Sequence, residues 1–147
     1  MHIENALIGI NHRSPNSLVV LSSRVFGSQT ACIRSVSSTF SYRNEPESNL
    51  AVMSSFLQDC GRDALDVNYR FSTIISNCTV SGGGGISFNS QIESMEIFDS
   101  IVEDNTSSRY AVNLGGTSGT QHTIIGNTFR NTLVEDYTCN AAFAEPT

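Results

Sequence analysis

Five stretches of this chain repeat one six-residue pattern: VLSSRV (20–25), VMSSFL (52–57), IISNCT (74–79), IFDSIV (97–102) and IIGNTF (124–129). Each reads apolar, apolar, small or Asp, Ser or Asn, any residue, and a mostly apolar residue. The first positions, Val20, Val52, Ile74, Ile97 and Ile124, lie 32, 22, 23 and 27 residues apart. Between these stretches fall short alternating segments, LIGIN (7–11), ALDVN (64–68), GISFN (85–89) and AVNLG (111–115), with TACIRS (30–35) filling the remaining slot less regularly. A period near 22 residues, short strands, Gly/Ser/Asn corners and almost no helical periodicity describe an all-β parallel solenoid. One turn of such a chain cannot bury its own inward face. Stacked turns about 4.8 Å apart share a continuous core, and equivalent residues line up in columns.

The repeat assigns faces. Neighbouring side chains in a strand point to opposite sides, so the first and sixth positions are expected inward: Val20 with Val25, Val52 with Leu57, Ile74 with Thr79, Ile97 with Val102 and Ile124 with Phe129. The fourth positions, Ser23, Ser55, Asn77, Ser100 and Asn127, form an expected corner ladder, because Ser and Asn side chains bond local backbone and tolerate unusual dihedrals. The second positions, Leu21, Met53, Ile75, Phe98 and Ile125, then form an outward apolar stripe. A stripe of that size marks a subunit interface or a surface covered by a loop or by the C-terminal tail at 133–147. The run GGGG (82–85) precedes a strand rather than a helix, so it reads as a corner and not as a phosphate cradle.

Charge narrows the partners. Eight Arg, no Lys and fourteen acidic residues give a net charge of −6, which argues against nucleic acid as a ligand. The longest apolar runs, such as LVVL (18–21), are far too short to span a bilayer. The start, MHIENALIGINHRS, carries no signal-peptide pattern, and localisation stays open between a virion-associated chain and one made in a bacterial cytoplasm. Without an export signal, Cys32, Cys60, Cys78 and Cys139 read as reduced core thiols, with two disulfides as the alternative. Nothing calls for a cofactor, and His2, His12 and His122 lack metal-ligand spacing; His122, at a rung corner, reads as a surface residue.

The stretches TIISNCTVSGGGGISFN and HTIIGNTFRNT resemble rungs of the right-handed parallel β-helix shared by pectate lyases, polygalacturonases, C5-epimerases and bacteriophage tailspikes. The likeness covers most of residues 6–132 and is specific for the fold rather than for one family. It implies a right-handed helix of about five rungs in a single domain, 1–147, with an inserted loop at 37–49. The polygalacturonase motifs are absent, and so is the lysine that several β-helix lyases use. Among these proteins the tailspikes imply a parallel homotrimer packed along its length and a bacterial surface polysaccharide as partner.

Candidate chemistry follows from the columns. Four residues past each corner stand Gly27, Asp59, Ser81, Asp104 and Asn131. Asp59 and Asp104 are thus two rungs apart, roughly 9.6 Å by strand spacing, near the acid–base separation of inverting glycosidases. In that reading one carboxyl is the acid and the other activates water; the plain alternative is that Asp is simply a good corner residue. Asp63, Asp66, Asn113 and Arg109 offer a polar face for sugar hydroxyls or an acidic sugar, and Tyr42 and Arg43 on the inserted loop offer a stacking face. Arg62 is expected to neutralise Asp63, and Glu103 and Arg130 to form a surface ion pair. The sequence therefore reads as a carbohydrate-binding or carbohydrate-cleaving tailspike-type β-helix, if an enzyme then a glycoside hydrolase. A non-catalytic trimerising β-helix is the main alternative, and an epimerase- or lyase-type module a remote one. Sequons at Asn77 and Asn105 carry little weight without an export signal.

Overall fold

A computed structural model of the protein describes residues 1–36, 48–68, 70–88, 92–106, 111–113, 121–132, 134–135 and 141–143. These residues form strands and corners, with no helix among them. The strands run β1 (His2–Glu4), β2 (Ile8–Arg13), β3 (Leu18–Leu21), β4 (Arg24–Phe26), β5 (Ala31–Val36) and β6 (Asn49–Met53). Then follow β7 (Phe56–Cys60), β8 (Asp63–Asn68), β9 (Arg70–Ser76), β10 (Thr79–Gly83), β11 (Ile86–Phe88) and β12 (Ile92–Phe98). The last are β13 (Ile101–Glu103), β14 (Val112–Asn113), β15 (Gln121–Ile125), β16 (Thr128–Arg130), β17 (Val134–Glu135) and β18 (Ala141–Phe143).

Every third strand joins the same sheet. A first sheet stacks β1-β4-β7-β10-β13-β16, a second β2-β5-β8-β11-β14-β17 and a third β3-β6-β9-β12-β15-β18, each six strands deep. The described pairings are all parallel. This is a parallel β-solenoid, the fold class expected from the repeat. Two strands of the C-terminal tail, β17 and β18, extend the second and third sheets.

The core is built from columns. In the third sheet Val20, Val52, Ile75, Ile97 and Ile124 pair in register, and in the first sheet Val25, Leu57, Val80, Val102 and Phe129 do the same. Ile10, Ile33, Leu65, Ile86 and Val112 line the second. β-branched side chains dominate because they fit a pleated sheet buried on its inner face.

One rung departs from the expected register. Ile75, not Ile74, is the core residue, at 2% exposure, and Val80 replaces Thr79. The segment 74–79 is therefore displaced by one position, which turns every side chain to the other face. The observed register buries Ile and Val rather than Ile and Thr, and it sets Asn77 where the backbone is left-handed (φ 50°), a conformation Asn adopts readily. The corner ladder is accordingly Ser23, Ser55, Cys78, Ser100 and Asn127. Ser23 N–H donates to Ser55 Oγ (3.1 Å), Cys78 N–H to Ser100 Oγ (3.1 Å) and Ser100 N–H to Asn127 Oδ1 (2.8 Å). The hydroxyls of Ser23, Ser55 and Ser100 donate in turn to the carbonyls of Leu21, Met53 and Phe98.

Two further expectations need correction. Cys32 and Cys60 are not thiols: they form a disulfide with Cα atoms 5.4 Å apart. It links the start of β5 to the end of β7, across successive turns, a proximity that only the stacking creates. Cys78 is a free thiol inside the corner ladder, and burial raises its pKa despite opposing backbone hydrogen bonds from Ser55 and Ser76. His122 is no surface corner; it lies buried in β15, in register with Met95 of β12.

Candidate functional site

Three lateral features carry the residues singled out above. The first is the corner after the first sheet, where Asn5, Gly27, Asp59, Gly82, Asp104 and Asn131 all hold φ between 49° and 65°. Gly82 takes the slot expected for Ser81. Asp59 and Asp104 do share this column, two turns apart, and both are exposed. Their side chains nevertheless have work in the corner. Asp59 Oδ1 lies over Gly82, in the space a Cβ there would need. Asp104 Oδ1 accepts from Asn131 Nδ2 at 2.8 Å. Asp99 Oδ1 covers Gly126 in the same way at the corner after the third sheet. An Asx side chain beside the left-handed glycines Gly27, Gly82 and Gly126 is thus a structural device that recurs along the solenoid.

The second feature is a polar column on the second sheet. Arg34 of β5, Asp66 of β8, Ser87 of β11 and Asn113 of β14 pair in register. Asp66 is only 3% exposed and Asp63, three residues earlier, 7%. Asp66 Oδ2 lies 3.2 Å from Arg34 Nε, and its Oδ1 accepts from Asn68 Nδ2 at 2.8 Å. Asp63 Oδ2 accepts from Arg62 Nε at 2.9 Å. Burial raises the pKa of Asp63, and the Arg62 hydrogen bond pulls it back only in part; the same bond raises Arg62. Arg62 donates through Nε to Asp63, whereas Arg34 Nε meets Asp66 as an ion pair without a well-aligned hydrogen bond. Buried acids thus hold Arg62, Arg34 and Asn68, whose side chains are partly or fully exposed, and half-buried Asn113 continues the column two strands on from Asp66.

Sequence reasoning found Asp63, Asp66 and Asn113 in this face but missed Arg34, because TACIRS aligned poorly with the other second-sheet segments. The missed signal was parity: Arg34 stands one residue past Ile33, as Asp66 stands one past Leu65. Arg109, Tyr42 and Arg43 lie outside the described residues, as does most of the inserted loop at 37–49.

The third feature is the outer face of the third sheet. Leu21 and Ile125 are 54% and 49% exposed, with Met53 and Phe98 half-buried between them. The register shift puts Ser76 in the slot expected for Ile75, so the stripe has a polar break. It also turns Ile74 outward, in register with Ala51 and exposed Val19. The apolar face is therefore two columns wide at one end and one column wide at the other. On the first sheet, Arg130 meets Glu103 at 3.4 Å, the surface pair expected from their spacing.

Among the described residues there is no group of His, Cys, Asp and Glu suited to a metal ion and no helix long and apolar enough to cross a membrane. The fold and these faces define a parallel β-solenoid with a hydrogen-bonding face and an apolar face. Comparison with protein-family models, with curated proteins and with solved structures finds no match for the chain.

Proposed function

We propose that this chain is a carbohydrate-binding solenoid of the tailspike kind that its rungs resemble, and that the polar column of the second sheet is its glycan-facing surface. The observation that carries this reading is the pairing of buried Asp63 and Asp66 with Arg62, Arg34 and Asn68. Each arginine charge is neutralised at its base, so the face offers oriented N–H donors without a net positive field. Donors of that kind at about 4.8 Å spacing suit the hydroxyls of an uncharged or weakly acidic polysaccharide more than a polyanion. In the same proposal, copies of the chain pack through Leu21, Met53, Phe98 and Ile125, as a trimer would require; Ile75 has no part in that contact because it is buried.

Hydrolysis by Asp59 and Asp104 is a second reading, favoured by their exposure and shared column. It is the weaker of the two because both carboxyls serve the corners. A panel of soluble capsular and O-antigen polysaccharides separates the readings by affinity electrophoresis and reducing-end release. Binding weakened several-fold by Arg34→Lys and Asn113→Ala, and unaffected by Asp59→Asn or Asp104→Asn, is the expected outcome; Lys keeps the charge beside Asp66 but loses the fork. Release of reducing ends that either Asp variant abolishes would replace binding with hydrolysis. No retention on any glycan would leave the non-catalytic structural role.

A further inference from the structure

The outer face of the first sheet belongs neither to the polar column nor to the apolar stripe. Across β4, β7 and β10 it carries two columns in register, Arg24, Phe56 and Thr79 in one and Phe26, Gln58 and Ser81 in the other. Phe56 is 55% exposed, so its ring faces solvent with a guanidinium on one side and a hydroxyl on the other.

Arg24 differs from the arginines already described. Arg34, Arg62 and Arg130 each meet a carboxylate, whereas Arg24 meets none among the described residues. Its Cζ lies 5.6 Å from the centre of the Phe26 ring, and its Nη2 donates to Gln58 Oε1 at 3.4 Å. His2 packs edge-on to the same ring, centroids 5.5 Å apart, and the nearby carboxylate of Glu4 lies 3.6 Å from His2 Nε2. Ring and amide thus hold an uncompensated positive charge beside an open aromatic face.

β4 and β7 are interior strands, bonded to neighbours on both sides. A peptide cannot add to them as a further strand, so a ligand is recognised here by side chains alone. Gln58, Thr79 and Ser81 surround Phe56 with polar groups rather than with the apolar area that a protein partner would need. An aromatic ring has a negative face, which attracts the weakly positive C–H hydrogens on one side of a sugar ring with equatorial substituents. A guanidinium matches a carboxylate with two parallel N–H bonds.

We propose that Phe56 and Arg24 form a subsite for a β-linked uronate, a sugar ring bearing one carboxylate. The ring stacks on Phe56, the carboxylate pairs with Arg24, and Gln58 and Thr79 meet hydroxyls. The subsite lies on a different sheet from the glycan-facing column proposed above and does not depend on it.

The test is a nuclear magnetic resonance titration of the full chain with methyl β-glucuronide and with methyl β-glucoside, which differ only in the carboxylate. The glucuronide should shift the Phe56 ring and Arg24 Nε–H signals and bind about tenfold tighter than the glucoside. Phe56→Ala, Phe56→Leu and Arg24→Gln should each weaken it several-fold, while Phe56→Tyr and Arg34→Lys should leave it unchanged. Both residues are exposed, so the variants should keep the native dichroism. Equal affinity for the two sugars, no titration by the glucuronide, or binding indifferent to Phe56→Ala overturns the proposal. Binding that only Arg34→Lys weakens also overturns it and leaves the second-sheet reading standing. Oligomers that Phe56→Ala dissolves in light scattering would make the ring a contact between copies instead.

Discussion

Gly82 shows how much one residue can matter in a stacked fold. Its φ of 64° is strained for any L side chain, and Asp59 Oδ1 already fills the space a methyl group would need. Gly82→Ala should lower stability by about 1–3 kcal/mol in denaturant titration. Adding Asp59→Gly should recover part of that loss, because the steric conflict goes, glycine suits the left-handed φ of 51° at position 59, and the dihedral strain at position 82 stays. Asp63 makes a different argument. Burial raises its pKa above the ordinary 3.8, so the fold disfavours its ionised form. The stabilising contribution is complete below the unfolded pKa and is lost as pH rises through the folded one. Thermal melts should show the native chain losing stability across that window relative to Asp63→Asn, whose stability should not change there. A parallel pH dependence in both proteins would mean that Arg62 cancels the burial.

Among the elements, β5 and β7 are joined by more than their neighbours. The Cys32–Cys60 bond closes a loop with a sequence separation of 28 residues, which in a chain-entropy estimate contributes roughly 3.5 kcal/mol. The corner ladder adds hydrogen bonds between successive turns at a single edge, from Ser23 to Asn127. Reduction, or the pair Cys32→Ala and Cys60→Ala, should therefore lower the unfolding midpoint by several degrees or more while far-ultraviolet dichroism at low temperature keeps its β signature. An unchanged midpoint would show that the stacking alone fixes these two turns.

At the scale of the molecule, the apolar outer face of the third sheet decides whether the solenoid works alone. Leaving Leu21, Val19 and Ile125 wet forgoes hydrophobic stabilisation at about 25 cal/mol per Å², and a flat sheet face of this kind invites a second surface. If the face is the proposed contact between copies, light scattering should give a trimer, and Leu21→Asp with Ile125→Asp should give a monomer of unchanged fold. A monomeric native chain would remove both the interface and the tailspike analogy.

The repeat, the alternation and the Gly/Ser/Asn corners were enough to give the solenoid and four of five inward pairs, because a period near 22 residues leaves few other ways to bury short apolar strands. The surface ion pair of Glu103 with Arg130 and the shared column of Asp59 with Asp104 were likewise legible, since position along a rung fixes position in a column. What the sequence left undecided was local phase. Two adjacent isoleucines at 74 and 75 satisfy a six-residue pattern in either register, and only packing against Val52 and Ile97 selects Ile75. The same stacking brought Cys32 to Cys60 and Arg34 to Asp66, contacts across turns that no local spacing announces. It also gave Asp59 and Asp104 their place in the corners, which changes them from an isolated carboxylate pair into parts of the frame.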